Sequence, residues 1–297
     1  MQVKIRQLKA LDAVVRLGSF VEAAQALHVT PAALSLAIRE LEECVGFRVL
    51  ERTTRRLALT DAGRGYLVFA QRVLSELEAA ERYARDIHAG HAVVRIATTQ
   101  TVIATLLTQA LIDVHRSFPH IRLQPLDVAA NGIVDAFASG AADIAIGVNL
   151  PLDEGMESQL LFASRWFAYL ASGHPLGRRR RLDWHELAGH SLFMTKSSNY
   201  LKLRAALGRS VDLVDVQEST ATAGIAMASV GSGIAVFPGY VQPIAKVLGV
   251  KCVPIVAPAI PHELYIGVRR QPSSSAPIHL VRDAIARAVA QQCQHLK

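Results

Sequence analysis

The fold of the N-terminal region is decided by residues 19–60, which read SFVEAAQALHVTPAALSLAIRELEECVGFRVLERTTRRLALT. Ser19 can cap a short helix, because its hydroxyl can accept a hydrogen bond from an early backbone N–H. Thr30 followed by Pro31 predicts the start of a second helix, which Gly46 closes. Two short helices joined by a tight turn are typical of a helix-turn-helix.

The second of these helices has an apolar stripe and a small, polar outward face. The stripe repeats at helical spacing through Leu34, Ile38, Leu41 and Val45. A helix with a small exposed N-terminal end fits the major groove of B-DNA. We therefore expect DNA contacts from the cap Ser19 and from the outward face, which comprises Thr30, Pro31, Ala32, Ser35, Leu36 and Arg39.

The residues that follow predict a wing. Residues 47–60 read as a strand, a basic turn and a second strand, and four of the nine basic side chains in residues 1–60 lie between Arg48 and Arg56. Guanidinium groups on such a turn can hold phosphates or probe a minor groove. The residues expected to do so are Arg52, Thr53, Arg55 and Arg56. Without the wing, a generic helical hairpin would explain the first 46 residues equally well.

A long helix is expected from about Asp61 to residue 90, with Thr60 as its cap. Its apolar and small residues are spaced 4, 3, 4, 3, 4 and 3 apart, which is a heptad seam. The seam comprises Tyr66, Ala70, Val73, Leu77, Ala80, Ala84 and Ile87. A seam this narrow favours a partner helix, hence a dimer, and the alternative is that the stripe packs on its own domain.

Length and composition set the remaining bounds. The 297 residues are enough for two folding units, 51% are apolar, and no segment approaches the ~20 uncharged apolar residues of a membrane span. The N-terminus offers no apolar signal core, and Cys44, Cys252 and Cys293 form no disulfide framework, so we expect a cytoplasmic protein with reduced thiols. The net charge of +7 favours a polyanionic partner.

After Gly90 strands and helices alternate. Strands are predicted at 93–97, 121–128 and 143–148, with helices at 101–115 and 133–139 between them, which indicates a parallel sheet. A second set of strands follows at 166–171, 191–194, 211–216, 234–237 and 264–268, with helices at 221–230 and 276–292. Two α/β units in series predict a bilobed binding fold with a cleft between the lobes.

Ligands of such folds bind beyond the carboxyl ends of the strands. The first strand ends in Thr98, Thr99, Gln100 and Thr101, where hydroxyls and the N–H groups of a starting helix could hold a carboxylate or sulfate. Other strand ends add the candidates Asn149, Phe193, Thr195 and Lys196. The alternative is that these threonines are only helix caps.

Motifs for catalysis and metal binding are missing. The sequence contains no GxSxG, HExxH or Walker pattern, so we expect no catalytic residues and no cofactor. His88 and His91 have no companion ligands that would complete a metal site.

The N-terminal residues resemble the winged helix-turn-helix of LysR-type transcriptional regulators. The matching clusters are Gly18–Phe20, Ala23–Ala24, Leu27–Val29, Ala33–Ser35, Ile38–Glu42, Gly46, Glu51–Thr53 and Leu59–Gly63. Many members carry Ser-Gln-Pro where this chain has Thr30-Pro31-Ala32, and a polar residue is common where Leu36 stands. A glutamine able to read adenine is therefore missing, and more of the specificity must come from Ser35, Arg39 and DNA shape.

The resemblance extends to the C-terminal region, through Phe118-Pro119, residues 140–146 and residues 231–238. It implies an α/β fold with a winged helix-turn-helix at 1–60, a linker helix at 61–90 and a periplasmic-binding-protein-like effector domain at 91–297. Lobe I of that domain would comprise about 91–163 and 268–297, and lobe II about 164–267. The threonine turn at 98–101 is similar to that of sulfur-assimilation members, which suggests an anionic ligand.

The partners that the resemblance implies are double-stranded DNA, a small carboxylate or other anion, and a second copy of the chain in a homodimer or homotetramer. RNA polymerase is a further candidate, and no membrane is expected. The rival interpretation is an enzyme or solute-binding protein whose N-terminal helices serve only for dimerisation. That interpretation leaves the basic wing without a role.

Overall fold

The computed structural model describes residues 2–53, 56–88, 92–150, 155–195, 198–207, 215–270 and 276–292. The chain divides into two compact units. The first comprises Met1–Ala89 with Ala138–Ala141, and the second comprises Gly90–Phe137 and Ala142–Lys297.

The first unit contains three helices, a two-stranded antiparallel sheet and a long helix. Their bounds are α1 Ile5–Leu17, α2 Phe20–Ala26, α3 Pro31–Val45, β1 Leu50–Thr53, β2 Arg56–Leu59 and α4 Asp61–His88. Gly18 and Gly46 end α1 and α3 with φ of 66° and 81°, a left-handed conformation that a Cβ would disfavour. The predicted helix-turn-helix, wing strands and long helix are confirmed.

One apolar core holds this unit together. Leu11, Val14, Leu34 and Leu41 are buried in it, so the stripe predicted on α3 faces inward. The ends of α3 and β1 are tied by Glu42, whose carboxylate accepts hydrogen bonds from the backbone N–H groups of Val49 and Leu50 at 2.9 and 3.3 Å. The core and this tie fix the direction in which the outer face of α3 points.

The second unit contains two sheets, each of which defines a lobe. Lobe I has strands β3 Ala92–Thr98, β4 Ile121–Asp127, β5 Ile144–Gly147, β6 Met156–Ser164 and β13 His262–Arg269. Their order is β4-β3-β5-β13-β6. As predicted, β3 runs parallel to β4 and β5, whereas β13 runs antiparallel to β5 and β6.

Helices cover the lobe I sheet. The first starts as α5 Gln100–Val102, passes through a π-helical turn at Ile103–Leu107 and continues as α6 Thr108–Ser117. The others are α7 Ile133–Ala138 and α11 Ala276–Gln292. α11 contributes Val281, Ile285 and Val289 to the core under the sheet.

Lobe II has strands β7 Trp166–Leu170, β8 Leu182–Asp183, β9 Ser191–Met194, β10 Asp215–Glu218, β11 Ile234–Pro238 and β12 Lys251–Ala257. Their order is β10-β9-β11-β7-β12-β8. Its helices are α8 Ser198–Leu207, α9 Ala221–Ser229 and α10 Gln242–Val247. The predicted strand at 211–216 falls partly outside the described residues, and β10 begins at Asp215.

The lobe boundary predicted at residue 267 is wrong. β13 pairs with β5 and β6 over its length, so it belongs to lobe I and not to the second set of strands. The chain therefore crosses between the lobes at Arg165 and again at residues 258–261. An apolar strand in a sequence does not tell which of two sheets it will join, because both cores accept the same side chains.

Among the described helices, none is long and apolar enough to cross a membrane on its own. α2 and α3 reach the required length and composition only as a pair, and that pair is bent by 100° at its break.

Candidate functional site

The first candidate site is the outward face of α3. Thr30 caps this helix, because its Oγ1 accepts a hydrogen bond from the Ala33 N–H at 3.2 Å. The bend of 100° between α2 and α3 is that of a helix-turn-helix. Thr30, Pro31, Ala32, Leu36 and Arg39 are exposed and Ser35 is half-buried. This part of the chain thus presents the predicted reading face to solvent.

Polar contacts hold α3 in place from behind. The carboxylate of Glu40 accepts hydrogen bonds from Arg6 at 2.9 Å and from Gln7 at 3.1 Å, both on α1. The hydrogen bond from Arg6 and then that from Gln7 hold the pKa of Glu40 below its usual value. Ser19 also has a structural role: its Oγ accepts a hydrogen bond from the Glu22 N–H at 3.3 Å and so caps α2.

The wing follows α3 directly in the chain. β1 and β2 pair from Leu50 with Leu59 to Thr53 with Arg56. The backbone of Arg52, Thr53 and Arg56 thus lies at the tip end of the hairpin, while their side chains and all of Arg55 lie outside the described residues.

The long helix α4 is anchored at its start by Thr60. The Thr60 hydroxyl donates to the Arg48 carbonyl at 2.7 Å and accepts from the Gly63 N–H at 2.8 Å, so the predicted cap is present. Two members of the predicted seam need correction. Ala70, 2% exposed, and Tyr66 pack in the core of their own domain, because the first turns of α4 cover α1.

The rest of the seam is open to a partner. Val73 is 50% exposed, Ala80 and Ala84 are exposed, and Leu77 is half-buried. Val68 and Phe69 add exposed apolar surface on the same helix. The side chain of Ile87 lies outside the described residues.

The second candidate site is a cavity of about 560 Å³ in the second unit. Lobe I contributes Thr99, Gln100 and Thr101 at the end of β3, and lobe II contributes Thr195 at the end of β9. These four residues, predicted from strand ends, are brought together. The volume suits a small organic molecule.

Other predicted ligand contacts do not line this cavity. Phe193 is 3% exposed and packs in the core, because it lies within β9 and not at its end. Thr98 is fully buried, and Asn149 serves a turn with φ of 51°. The structure does not place these three residues at this cavity, and Lys196 lies outside the described residues.

Several lining residues were not predicted from the sequence. Polar ones follow other strands: Asp127 ends β4, and Glu218, Ser219 and Thr220 lie at the end of β10. The rule that ligands bind beyond the carboxyl ends of strands, which we used for β3, would also have pointed to these residues. The base of the cavity is aromatic, with Trp166, Tyr240 and His262.

The aromatic base lies where the chain crosses between the lobes. Trp166 follows the first crossing and His262 follows the second. The His262 ring lies 5.1 Å from the Trp166 ring and 5.6 Å from that of Tyr240. Burial lowers the pKa of His262 to about 4, so its ring is neutral at physiological pH.

The described residues contain no group of three or more His, Cys, Asp or Glu that could hold a metal ion. His91 and Cys293 fall outside that part of the chain, as does the side chain of His88. Cys44 and Cys252 are free thiols.

Comparison with known families matches both halves of the chain. The family described as "Bacterial regulatory helix-turn-helix protein, lysR family" matches residues 5–64. The family described as "LysR substrate binding domain" matches residues 89–290. Together they cover α3, the wing and the cavity.

Individual relatives are regulators of the same type. The HTH-type transcriptional regulator YbhD of Escherichia coli (strain K12) is 26% identical over 284 residues, which are 93% of this chain and 89% of that protein. The HTH-type transcriptional regulator CrgA of Neisseria meningitidis serogroup C is 33% identical over 192 residues, 64% of this chain and 63% of that one.

Solved structures show the same fold. CbnR, a LysR family transcriptional regulator, superposes with a TM-score of 0.69 at 18% identity, over 96% of this chain and 99% of that one. Full-length CbnR in complex with its target DNA gives a TM-score of 0.66 at 19% identity, with the same coverage of both chains. The chain belongs to the LysR family and is a DNA-binding transcriptional regulator with an effector-binding domain, not an enzyme.

Proposed function

We propose that a small metabolite with a carboxylate or other anionic group binds in the cavity and controls the action of the protein on DNA. The observation that carries this proposal is that Thr99 and Thr101 of lobe I and Thr195 of lobe II line one cavity. A ligand there touches both lobes, so it can favour one arrangement of the lobes over another.

Hydrogen-bond donors support an anionic group in the ligand. The Thr99 Oγ1 accepts from the Val102 N–H at 3.4 Å, which leaves its own proton available to donate. Thr220 and Ala221, at the start of the nine-residue helix α9, also line the cavity. The N-terminus of a helix favours negative charge.

Control requires that the ligand bind one lobe arrangement more tightly than another, since only differential affinity shifts an equilibrium. Reciprocal coupling then makes effector affinity depend on DNA binding and DNA binding depend on the effector. RNA polymerase is the further partner we propose for the DNA-bound form.

For DNA we propose reading by α3 and clamping by the wing. Thr30, Pro31, Ala32, Ser35, Leu36 and Arg39 would approach base edges in the major groove, with Ser19 near the backbone. Arg52, Thr53, Arg55 and Arg56 would contact phosphates or the minor groove. Such a regulator would act in the cytoplasm, where bacterial DNA lies.

For assembly we propose a homodimer through α4, and a homotetramer of two such dimers. The exposed Val73, Ala80 and Ala84, with Leu77, form the remaining seam. A second copy of the helix would bury these residues.

The effector proposal is tested by calorimetry on the full chain, after a thermal-shift screen of small carboxylates and sulfate has identified a stabilising probe. Thr99→Val and Thr101→Val remove hydroxyls at nearly constant volume. Each should therefore make the binding free energy of the probe less favourable by roughly 1–3 kcal/mol. Thr108→Val is the matched control, because Thr108 lies farther along the same helical run and does not line the cavity. Equal probe affinity in all four proteins would place the effector site elsewhere.

A further inference from the structure

The charged groups in the cavity are not those expected for a ligand that is only an anion. Among the described residues that line it, the side chains with a formal charge at neutral pH are Asp127 and Glu218. Both are exposed, and neither forms an ion pair within the described part of the chain. Asp127 ends β4 of lobe I and Glu218 ends β10 of lobe II, so each lobe places one negative charge at the same cavity.

Two hydroxyl groups of lobe II already donate hydrogen bonds to backbone carbonyls. The Thr195 Oγ1 donates to the Ser219 carbonyl at 3.0 Å, and the Ser219 Oγ donates to the Thr220 carbonyl at 3.1 Å. Each oxygen retains lone pairs that can only accept a hydrogen bond. Together with the two carboxylates, they make a set of acceptors that suits an ammonium group.

The base of the cavity suits a flat ring. Trp166 and His262 are each 6% exposed, and both line the cavity. The Trp166 Nε1 and the His262 Nδ1 are buried without a hydrogen-bond partner in the described structure. These nitrogens have almost no exposed surface, so the rings of Trp166 and His262, and not their polar atoms, face a ligand, and they favour one that stacks on rings.

We propose that the cavity binds a zwitterionic amino acid with an aromatic side chain. Its carboxylate would lie at Thr99, Thr101 and the start of α9, and its ammonium at Asp127 and Glu218. The ring would lie against Trp166, Tyr240 and His262. This inference rests on the proposed function, because it assumes that the cavity is the effector site.

The two carboxylates also give the ammonium a part in the response. Like charges contributed by the two lobes repel one another as the lobes approach, and a bound cation between them removes that repulsion. A ligand without the ammonium lacks this contribution. The amino group thus both selects the ligand and favours closure.

Calorimetry on the full chain tests the proposal with three matched probes. L-Tyrosine carries all three groups, 3-(4-hydroxyphenyl)propanoate lacks the amino group, and tyramine lacks the carboxylate. L-Tryptophan is a second amino acid with an aromatic ring. We expect L-tyrosine or L-tryptophan to bind at least tenfold more tightly than both truncated probes. Equal or tighter binding of the propanoate, or no binding of either amino acid, would overturn the proposal.

Variants then locate the amino group. Asp127→Asn and Glu218→Gln should each lower the affinity for the amino acid about tenfold and leave the affinity for the propanoate unchanged. Asp215→Asn, an exposed residue on the same strand as Glu218 but outside the cavity, should change neither. An unchanged affinity for the amino acid in both variants would overturn the assignment of the ammonium.

Failure of this inference can be told apart from failure of the proposed function. If the propanoate binds best and Thr99→Val weakens it, the cavity remains the effector site and the amino acid assignment falls. If an amino acid binds but Thr99→Val, Asp127→Asn and Glu218→Gln all leave its affinity unchanged, the cavity is not the effector site and both fall.

Discussion

We propose different tasks on DNA for the arginines of the wing and for Ser35 of α3. Phosphate contacts contribute affinity for any sequence, whereas contacts to base edges distinguish one sequence from another. α3 presents Ser35, Leu36 and Arg39 outward, and the hydrophobic Leu36, 55% exposed, suits the methyl group of thymine better than a polar atom. Specificity should therefore lie in α3, and general affinity in the wing.

Arg55→Ala tests this division. It should weaken binding to operator and to random duplex alike, and should lower the salt slope of binding by about one unit, since one phosphate contact is lost. Ser35→Ala is the comparison: it should weaken binding to the operator and leave random duplex unchanged. Fluorescence anisotropy over a range of salt concentrations measures both. An Arg55→Ala protein with the wild-type slope would contradict the wing assignment.

Acid should destabilise the protein through His262. Burial lowers its pKa from 6.5 in the unfolded chain to about 4 in the folded protein. Between these values the unfolded chain binds more protons, so stability present above pH 6.5 is lost as the pH falls toward 4. The expected loss is on the order of 3 kcal/mol. Below pH 4 this contribution changes no further.

Thermal unfolding at pH 7.5 and pH 5 measures the effect. His262→Gln should reduce the drop in melting temperature between the two pH values, whereas a substitution of the exposed His120 should not. A drop that is the same in wild type and in His262→Gln would show that other groups govern acid stability.

At the scale of the elements, two glycines of α4 lie two residues apart in opposite surroundings. A Cβ at Gly63 would overlap the Val49 carbonyl oxygen and lie 2.8 Å from its carbon, whereas a Cβ at Gly65 meets nothing within 4 Å. Gly63→Ala should destabilise the protein by about 1–3 kcal/mol. Gly65→Ala should stabilise it by about 0.5–1 kcal/mol, because alanine favours helix. Melting temperatures that shift in the same direction would contradict this packing of α4.

The seam of α4 predicts the behaviour of a second pair of variants. Val73→Glu places a charge on exposed apolar surface, where it costs little in a single chain but must be desolvated if a partner helix covers it. We expect this variant to be monomeric. Arg72→Glu introduces the same side chain one residue away, off the seam, and should leave assembly unchanged. Analytical ultracentrifugation decides, and a Val73→Glu protein that keeps the wild-type oligomer would refute the seam.

Elements with local signals were predictable from the sequence, and their partners were not. Caps and glycines place α3 within one residue of its predicted start, and the same kind of signal gives Thr60 as the cap of α4. β6 and β12 were missed: β12 contains Pro254 at a central position, and β6 mixes buried and exposed residues without strict alternation. β13 was found but assigned to the wrong lobe.

The same limit applies to the two candidate sites. The outward face of α3 follows from the periodicity of one helix, so the sequence could predict which of its residues are exposed, and their contact with DNA stays a prediction. The cavity draws on β3, β4, β9, β10 and the two crossings between lobes, which lie far apart in the chain. At Ala70 the sequence predicted too much. The residue fits the regular seam, but its spacing does not reveal that α1 already covers the first turns of α4.

At the scale of the whole molecule, the chain carries a DNA-binding unit, which includes the long helix α4, and an effector-binding unit. In the mechanism that we propose, the ligand acts without touching DNA, because its differential affinity shifts the equilibrium between two lobe arrangements. The DNA-binding unit should therefore recognise its operator with its own residues, whether or not a ligand is bound.

The most direct test of that claim is the affinity of the full chain for the duplex upstream of its own gene against random duplex of equal length at the same salt concentration. Fluorescence anisotropy supplies both values. We expect the upstream duplex to bind about a thousandfold or more tightly than the random one, as specific regulators do. Equal affinity for the two duplexes would contradict the account of this protein as a sequence-specific regulator.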